Sequence, residues 1–525
     1  MASAARGASA APISELRWWV RHALAGAMLL VFGGVLIAIA YTRGVDGDEP
    51  YYAASIQNVA RGKHLYVDFF YPQGPIQPLL YSLFYRVGFH RLQALRDISV
   101  GCCLVTGLIW WRLLTRLMPK AAAAPLCLLA IALADSAYTE WGGSLKTYAL
   151  TTMMTALGGY TWWEGFRHPE SRQRRVWFAL AGLVWTLAAG ARAQFAAPAM
   201  FLTLILLART GWCLFTRKQR VLADLVAWCV GAGAGTAITA RQWIRDPRAF
   251  WFDNITAQMM RAVPPKGWAH VEYLFYAVHD SMIQYPWLIF ILIAGTASAL
   301  ALAFGPPPGD HRRRADLSLV AMPLAGLVCF TAMLSVHPQY GQYYEGTLGA
   351  FFVPCVLAWV ARRAHAVPAG VFVLFTGLTL SISVKPLPNA SGDIGRLDVT
   401  ESVAKVVAKN SRPEDQVWGY HGLWAFQSDR SYVNGTECQF GFAPAHQISA
   451  AERRRFHLLT VGELADEMDR GVPKLAVTES DDSWVLQYSP EDAKRVTAAL
   501  HRNYRVILET SGIKVRLRND VQEVP

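Results

Sequence analysis

The chain has 525 residues, 53% of them apolar and only 17% charged, with a formal net charge of +12. An ordinary soluble domain carries about 25% charged residues, so the shortfall excludes a plain soluble enzyme, while the last 140 or so positions return to a globular mixture and exclude a chain embedded throughout. Lys and Arg stand in short groups between apolar runs rather than on one soluble face, which excludes a nucleic-acid partner and points to membrane orientation.

In chain order, residues 22–42 carry no formal charge, which meets the about 20 apolar residues that a bilayer crossing needs and exceeds the core of a signal peptide. They predict a retained first span. The loop 43–97 follows, with two amphipathic stretches at 51–60 and 76–89 separated by Tyr71-Pro72-Gln73-Gly74-Pro75, and their apolar faces are expected along the membrane surface. Further spans are predicted at 98–119, 121–139, 147–163, 176–191, 193–208, 222–240, 281–305, 317–336, 346–361 and 366–384, eleven in all. One helix over 176–208 would be about 50 Å long at ~1.5 Å per residue, against a core of about 30 Å, so Arg192 marks a turn.

Arg17 and Arg21, Arg112 with Arg116 and Lys120, Arg167 with Arg172, Arg174 and Arg175, Arg217 to Arg220, Arg312 to Arg314, and Arg362 with Arg363 then all fall on one side. By the positive-inside rule the N-terminus is cytoplasmic, and the loops 43–97 and 241–280 and the C-terminal part lie outside. From 386 onward, helices near 394–409, 450–470 and 490–502 alternate with strands near 416–420, 474–478, 504–510 and 513–518, a small α/β domain. The expected fold is an α-helical polytopic membrane protein, with residues 1–385 as the transmembrane module and 386–525 as an extracytoplasmic α/β domain. No two of the eight cysteines form a CxxC pair, so no disulfide framework or zinc site follows.

Asp46-Gly47-Asp48-Glu49 places three carboxylates in four residues just after the first span. Such a cluster can hold a cation or supply a general base, because one ionised carboxylate raises the pKa of its neighbour. The competing reading is a solvated helix start with Asp48 as N-cap and Glu49 in the first turn. A wider pattern, Asp48-Glu49-Pro50-Tyr51-Tyr52, then Gly62, then Tyr66-Val67-Asp68-Phe69-Phe70-Tyr71-Pro72-Gln73-Gly74-Pro75, resembles the first outer loop of bacterial members of the GT-C glycosyltransferase superfamily, those similar to protein O-mannosyltransferases and to the lipid A aminoarabinose transferase. In that family the loop opens with an Asp-Glu pair followed by aromatic residues and later has an Asp-Phe-Phe-x-Pro-type segment.

The resemblance implies transfer of a sugar, with inversion, from a polyprenyl-phosphate carrier to a glycan, lipid or protein acceptor on the periplasmic face of a bacterial inner membrane. It implies that Asp48 is the catalytic carboxylate, that Glu49 positions Asp48 or the sugar, and that Asp68 contacts sugar hydroxyls. The chain departs from the pattern at Pro50 and at Asp46. The Asp46-x-Asp48 spacing points to a divalent metal, as in the oligosaccharyltransferase branch, whereas the mannosyltransferase-like branch implies no cofactor.

A departing phosphate needs positive charge or directed donors. Arg192, Lys146 and His337 are predicted at outer span ends, with Arg241, Arg245 and Lys266 in the later outer loop; a snorkelling anchor is the alternative for each, and Arg192 stands out by its tight turn. In His337-Pro338-Gln339-Tyr340-Gly341-Gln342-Tyr343-Tyr344-Glu345, His337, Tyr340 and Tyr344 match family positions before a Pro-containing helix, here Pro354, or else form an interfacial aromatic belt. Glu140, beside Tyr138 and Trp141, is a further near-membrane carboxylate that could face the same cavity. The C-terminal domain has no Gly-rich phosphate loop, HExxH or GxSxG, and Tyr420-His421-Gly422 with Trp424 reads as packed aromatic core. The rival function is a lipid or sugar transporter or flippase with an external binding domain, but such proteins show repeated halves and midplane charges, and the sequence has neither.

Overall fold

The computed structural model describes residues 18–119, 124–133, 141–168, 172–216, 221–261, 268, 272, 286–304, 311–336, 342–363, 396–479 and 488–523. It is mostly helical. Helices α1 (Trp18–Thr42), α2 (Glu49–Ala60), α3 (Ile76–Arg86), α4 (Leu92–Leu117), α5 (Ala124–Leu133), α6 (Thr147–Arg167), α7 (Arg172–Ala191), α8 (Ala196–Phe215), α9 (Leu222–Arg245), α10 (Pro286–Ala303), α11 (Ala321–Val336) and α12 (Gln342–Arg363) follow in order.

Among the described residues, four helical stretches are long and apolar enough to cross a membrane: Trp19–Thr42, Leu92–Leu117, Ala193–Phe215 and Leu222–Arg245. Six further helices, α5, α6, α7, α10, α11 and α12, lie on expected spans, and the expected span 366–384 lies outside the described residues. Helix α6 shows why composition undercounts: its face is rich in Thr, with Thr151 and Thr161 hydroxyls donating to the carbonyls of Thr147 and Leu157 at 2.9 and 2.8 Å. These two hydroxyls are satisfied within the helix, and nearly all its residues are buried by α4, α7 and α12. Helices α7 and α9 touch backbone to backbone, since a Cβ at Gly231 would stand 1.8 Å from the Ala179 carbonyl and one at Gly182 2.3 Å from that of Trp228. Small residues at such contacts let apolar helices associate where lipid offers no hydrophobic drive.

Helix α2 has no free face: Glu49 to Val59 are all buried. One side packs on α3 and the other on the short helix Leu423–Gln427 from the C-terminal part. The expected surface-lying stretch is thus sandwiched by protein. Gln57 Nε2 and Arg61 Nη2 both donate to Asp429, at 2.9 and 2.7 Å, and Tyr432 donates to Gln57 Oε1 at 2.5 Å.

The C-terminal part contains α13 (Leu397–Lys409), β1 (Gln416–Gly419), β2 (Ser431–Tyr432), α14 (Val461–Asp469), β3 (Leu475–Glu479), α15 (Pro490–Asn503), β4 (Tyr504–Thr510) and β5 (Ile513–Arg518). The sheet order is β2-β1-β3-β5-β4, with β1 parallel to β2 and β3, and β5 antiparallel to β3 and β4. The helix expected over 450–470 is two, Ala450–Arg455 and α14, broken at His457 with φ 55°. Each half starts with its own capping box, Ser449 with Glu452 and Thr460 with Glu463, which satisfies the orphan N–H groups of two separate helix starts.

Candidate active site

The loop between α1 and α2 is shaped by a buried ion pair. Glu49 accepts from Arg96 Nε at 2.8 Å and Nη2 at 2.5 Å, from the Leu145 N–H at 2.7 Å and from the Asp46 N–H at 3.0 Å. The Arg96 guanidinium also donates to the carbonyls of Ala40, Arg43 and Gly44. Both side chains are fully buried. Buried and held by four hydrogen bonds, Glu49 pins the loop from within, beside Asp48. Sequence reasoning misses Arg96 because the apolar run that marks the second span starts only at residue 98. Its signal is a lone Arg-Asp pair, Arg96 and Asp97, at the mouth of that run.

Asp48 stands at the helix start with φ −87° and ψ −25°, and its side chain makes no capping bond. The N-cap alternative is therefore not what this side chain does. Its carboxylate instead lies 3.3 Å from Lys146 Nζ, and that of Asp46 lies 2.7 Å from the same nitrogen. The Asp48 N–H donates to Asp46 Oδ1 at 2.9 Å, which ties the two residues together. Burial acts to raise the Asp46 carboxyl, but the Lys146 charge and hydrogen bond outweigh it and hold the pKa below the ordinary carboxylate value. Burial acts to lower Lys146 and is outweighed by Asp48 and Asp46, so the ammonium stays charged. The Asp48 side chain keeps 14% of its surface, against 5% for Lys146 and none for Glu49.

Lys146 precedes the first turn of α6, and its ammonium sits 4.3 Å from the Trp141 ring centroid and 6.0 Å from that of Tyr148. Arg192, extended at φ −146° between α7 and the turn into α8, places its guanidinium 4.7 Å from the Tyr148 centroid. The expected turn at Arg192 is present, and the residue is buried. Two cations thus flank one tyrosine. The Tyr51 and Tyr52 rings on α2 lie with centroids 4.1 Å apart, tilted by 33°. Burial raises the Tyr52 phenol, Arg192 opposes this and Asp48 adds to it, so Tyr52 remains a proton donor at neutral pH.

The structure does not bring every expected residue here. Asp68, expected to contact sugar hydroxyls, is exposed and closes its own loop, accepting from the His64 N–H at 2.6 Å. Arg241 and Arg245 are exposed on the last turn of α9. Glu140, His337, Tyr340 and Lys266 lie outside the described residues, and Tyr344 lies on α12 with its side chain outside them. The loop 241–280 contributes a residue that sequence reasoning passes over: buried Asp253 accepts from the Tyr71 N–H at 2.9 Å and so fixes the turn after Phe70.

The Asp46 and Asp48 pair is the one sequence pointer to a divalent metal. Both carboxylates converge on the Lys146 ammonium, so a protein cation stands where a metal would bridge them. Among the described residues no group of three or more His, Cys, Asp and Glu side chains has the arrangement to hold a metal ion. Among the described residues the two carboxylates are thus paired with Lys146 rather than gathered into a metal-binding set.

No protein-family model matches the chain, and no curated protein matches it by sequence. Solved structures do resemble it. The apo oligosaccharyltransferase of Archaeoglobus fulgidus superposes with a TM-score of 0.50 at 13% identity, covering 96% of this chain and 75% of that one. ArnT from Cupriavidus metallidurans, bound to undecaprenyl phosphate, gives 0.47 at 14% identity over 95% and 97%. The Archaeoglobus enzyme in complex with Zn and sulfate gives 0.45 at 11% over 93% and 73%. At these identities the likeness is one of fold, shared with the Archaeoglobus oligosaccharyltransferase along nearly the whole of this chain.

Proposed function

We propose that the protein is a membrane glycosyltransferase that moves a sugar from a polyprenyl-phosphate donor to an acceptor on the periplasmic side of a bacterial inner membrane, with inversion. The observation that carries this reading is the convergence of Asp46 and Asp48 on Lys146, with Arg192 across Tyr148. The acceptor is a hydroxyl-bearing glycan, lipid or protein. Asp48 takes the hydroxyl proton as the acceptor oxygen bonds to the anomeric carbon. The bond from that carbon to the phosphate oxygen breaks from the opposite face, which inverts the centre. The electron pair leaves on the polyprenyl phosphate, and Lys146 and Arg192 face the charge that develops there. With Lys146 seated between the carboxylates, the reaction proceeds without a divalent ion.

The test is release of undecaprenyl phosphate from synthetic undecaprenyl-phosphate-linked hexoses and pentoses, in lipid nanodiscs supplied with a bacterial envelope extract as acceptor. Asp48→Asn keeps the shape and removes the proton-accepting charge. Turnover is expected to fall by about 10² to 10⁴, the usual share of general base catalysis, with donor binding retained, and chelator is expected to leave wild-type turnover intact. Wild-type release by Asp48→Asn would remove the base, and activity lost to chelator and restored by manganese or magnesium would make Asp46 a metal ligand.

A further inference from the structure

Gln439 belongs to the C-terminal part of the chain, 392 positions from Gly47, yet its Nε2 donates to the Gly47 carbonyl at 2.5 Å. Gly47 lies between Asp46 and Asp48, so this bond grips the middle of the two-carboxylate loop. The flanking peptides are held from the membrane module, Arg43 and Gly44 by Arg96 and the Asp46 carbonyl by the Glu49 N–H. The neighbour of Gln439, Phe440, packs edge-on against Tyr51 with centroids 5.3 Å apart, and Arg261 covers the same ring at 3.7 Å. This segment therefore closes over the loop that bears Asp48.

Packing alone does not account for an amide in this position. Gln439 is 2% exposed, and its Oε1 is buried with no hydrogen-bond partner among the described residues. A leucine of similar volume would fill the space without an unsatisfied oxygen. The amide is matched to one neighbour, the Gly47 carbonyl.

We infer that Gln439 is a positioning residue for Asp48, so that the C-terminal domain completes the active site rather than serving as a separate module. This rests on the reading of Asp48 above. Gln439→Leu is expected to fold as well as wild type and to leave the KM for the undecaprenyl-phosphate-linked donor unchanged. Its turnover is expected to fall by about 10- to 100-fold, the scale on which small misplacements of a catalytic group act. Hydrogen exchange is expected to rise in the peptide 44–50 and not in β1 or β3. Gln439→Glu supplies a conservative rescue, because a protonated carboxyl donates to the Gly47 carbonyl and an ionised one cannot. Its turnover relative to wild type should climb as pH falls, whereas the ratio for Gln439→Leu should stay flat. Turnover of Gln439→Leu within twofold of wild type, unchanged exchange in 44–50, or a flat ratio for Gln439→Glu would overturn the inference. Asp48→Asn in the same assay separates the two claims: if it releases carrier as wild type does, the assignment of Asp48 as base fails, and if it is inactive while Gln439→Leu is normal, only the role of Gln439 fails.

Discussion

At the N-terminal end of α6, Lys146 stands between two carboxylates brought from a loop far away in sequence; at its C-terminal end, Glu164 stands among cations and a phenol. Glu164 accepts from Tyr160 at 2.7 Å and lies 3.2 Å from His168, 3.6 Å from Arg167 and 3.8 Å from Arg116. Three of those partners are one turn away on or beside the same helix, and cations there also complement the helix dipole. The cluster at the other end is assembled from the loop after α1, the start of α6 and the turn at Arg192. Its Asp48 keeps 14% of its side-chain surface where Glu164 keeps 1%. A gathering of charge is common at helix ends. Convergence from distant segments, with both Asp46 and Asp48 keeping 14% of their side-chain surface, is what distinguishes a place for chemistry.

The largest expected effect comes from the support beneath that cluster. Arg96→Met leaves Glu49 buried and unpaired, which costs about 3–5 kcal/mol, and its thermal unfolding should begin far below that of wild type. Arg116→Met, removing a partly exposed cation 3.8 Å from Glu164, should cost under ~1 kcal/mol. Equal losses would erase the contrast between the two ends.

Next in size is Lys146→Met. Removing the cation proposed to face the leaving phosphate should lower turnover by about 10² to 10³, while Arg116→Met stays within twofold in the same carrier-release assay. A Lys146→Met enzyme with normal turnover would reduce its cluster to the status of the Glu164 one.

Asp253 sharpens the comparison from a third position, a buried carboxyl with no cation partner among the described residues of the kind Asp46 has in Lys146. Burial pushes its pKa well above the ordinary value, with the Tyr71 N–H acting the other way. A folded-state pKa above the unfolded one, near 4, means that folding favours the proton: the benefit is full below the unfolded pKa and is lost as pH rises through the folded one. Asp253→Asn still accepts from Tyr71, so at pH 7 it should melt slightly above wild type, with the gap closing as pH falls towards about 4 and gone below it. A lower melting temperature at pH 7 would show instead that the carboxylate is ionised and paired.

Much of this was legible in the sequence because it is local. The Asp46 to Glu49 cluster, the turn at Arg192, the two stretches of the first loop and four of five strands follow from patterns within a few residues. The break at His457 was legible too, in two capping boxes eleven residues apart, but the apolar periodicity across it reads as one helix. What could not be read is long-range: that Glu49 faces inward to Arg96 while Asp48 faces Lys146, and that Gln439 reaches Gly47. Adjacent carboxylates are equivalent in a sequence, and only the fold decides which one spends its lone pairs on structure. Asp68 shows the converse, a motif residue whose partner is its own loop.

The most direct measurement is a structure of the protein with undecaprenyl phosphate bound. The account predicts the phosphate within hydrogen-bond distance, about 3 Å, of Lys146 Nζ or the Arg192 guanidinium, with the Asp48 carboxylate beside it on the side open to an acceptor. A phosphate seated instead at the Glu164, Arg116 and Arg167 end of α6, remote from Asp48, would contradict it.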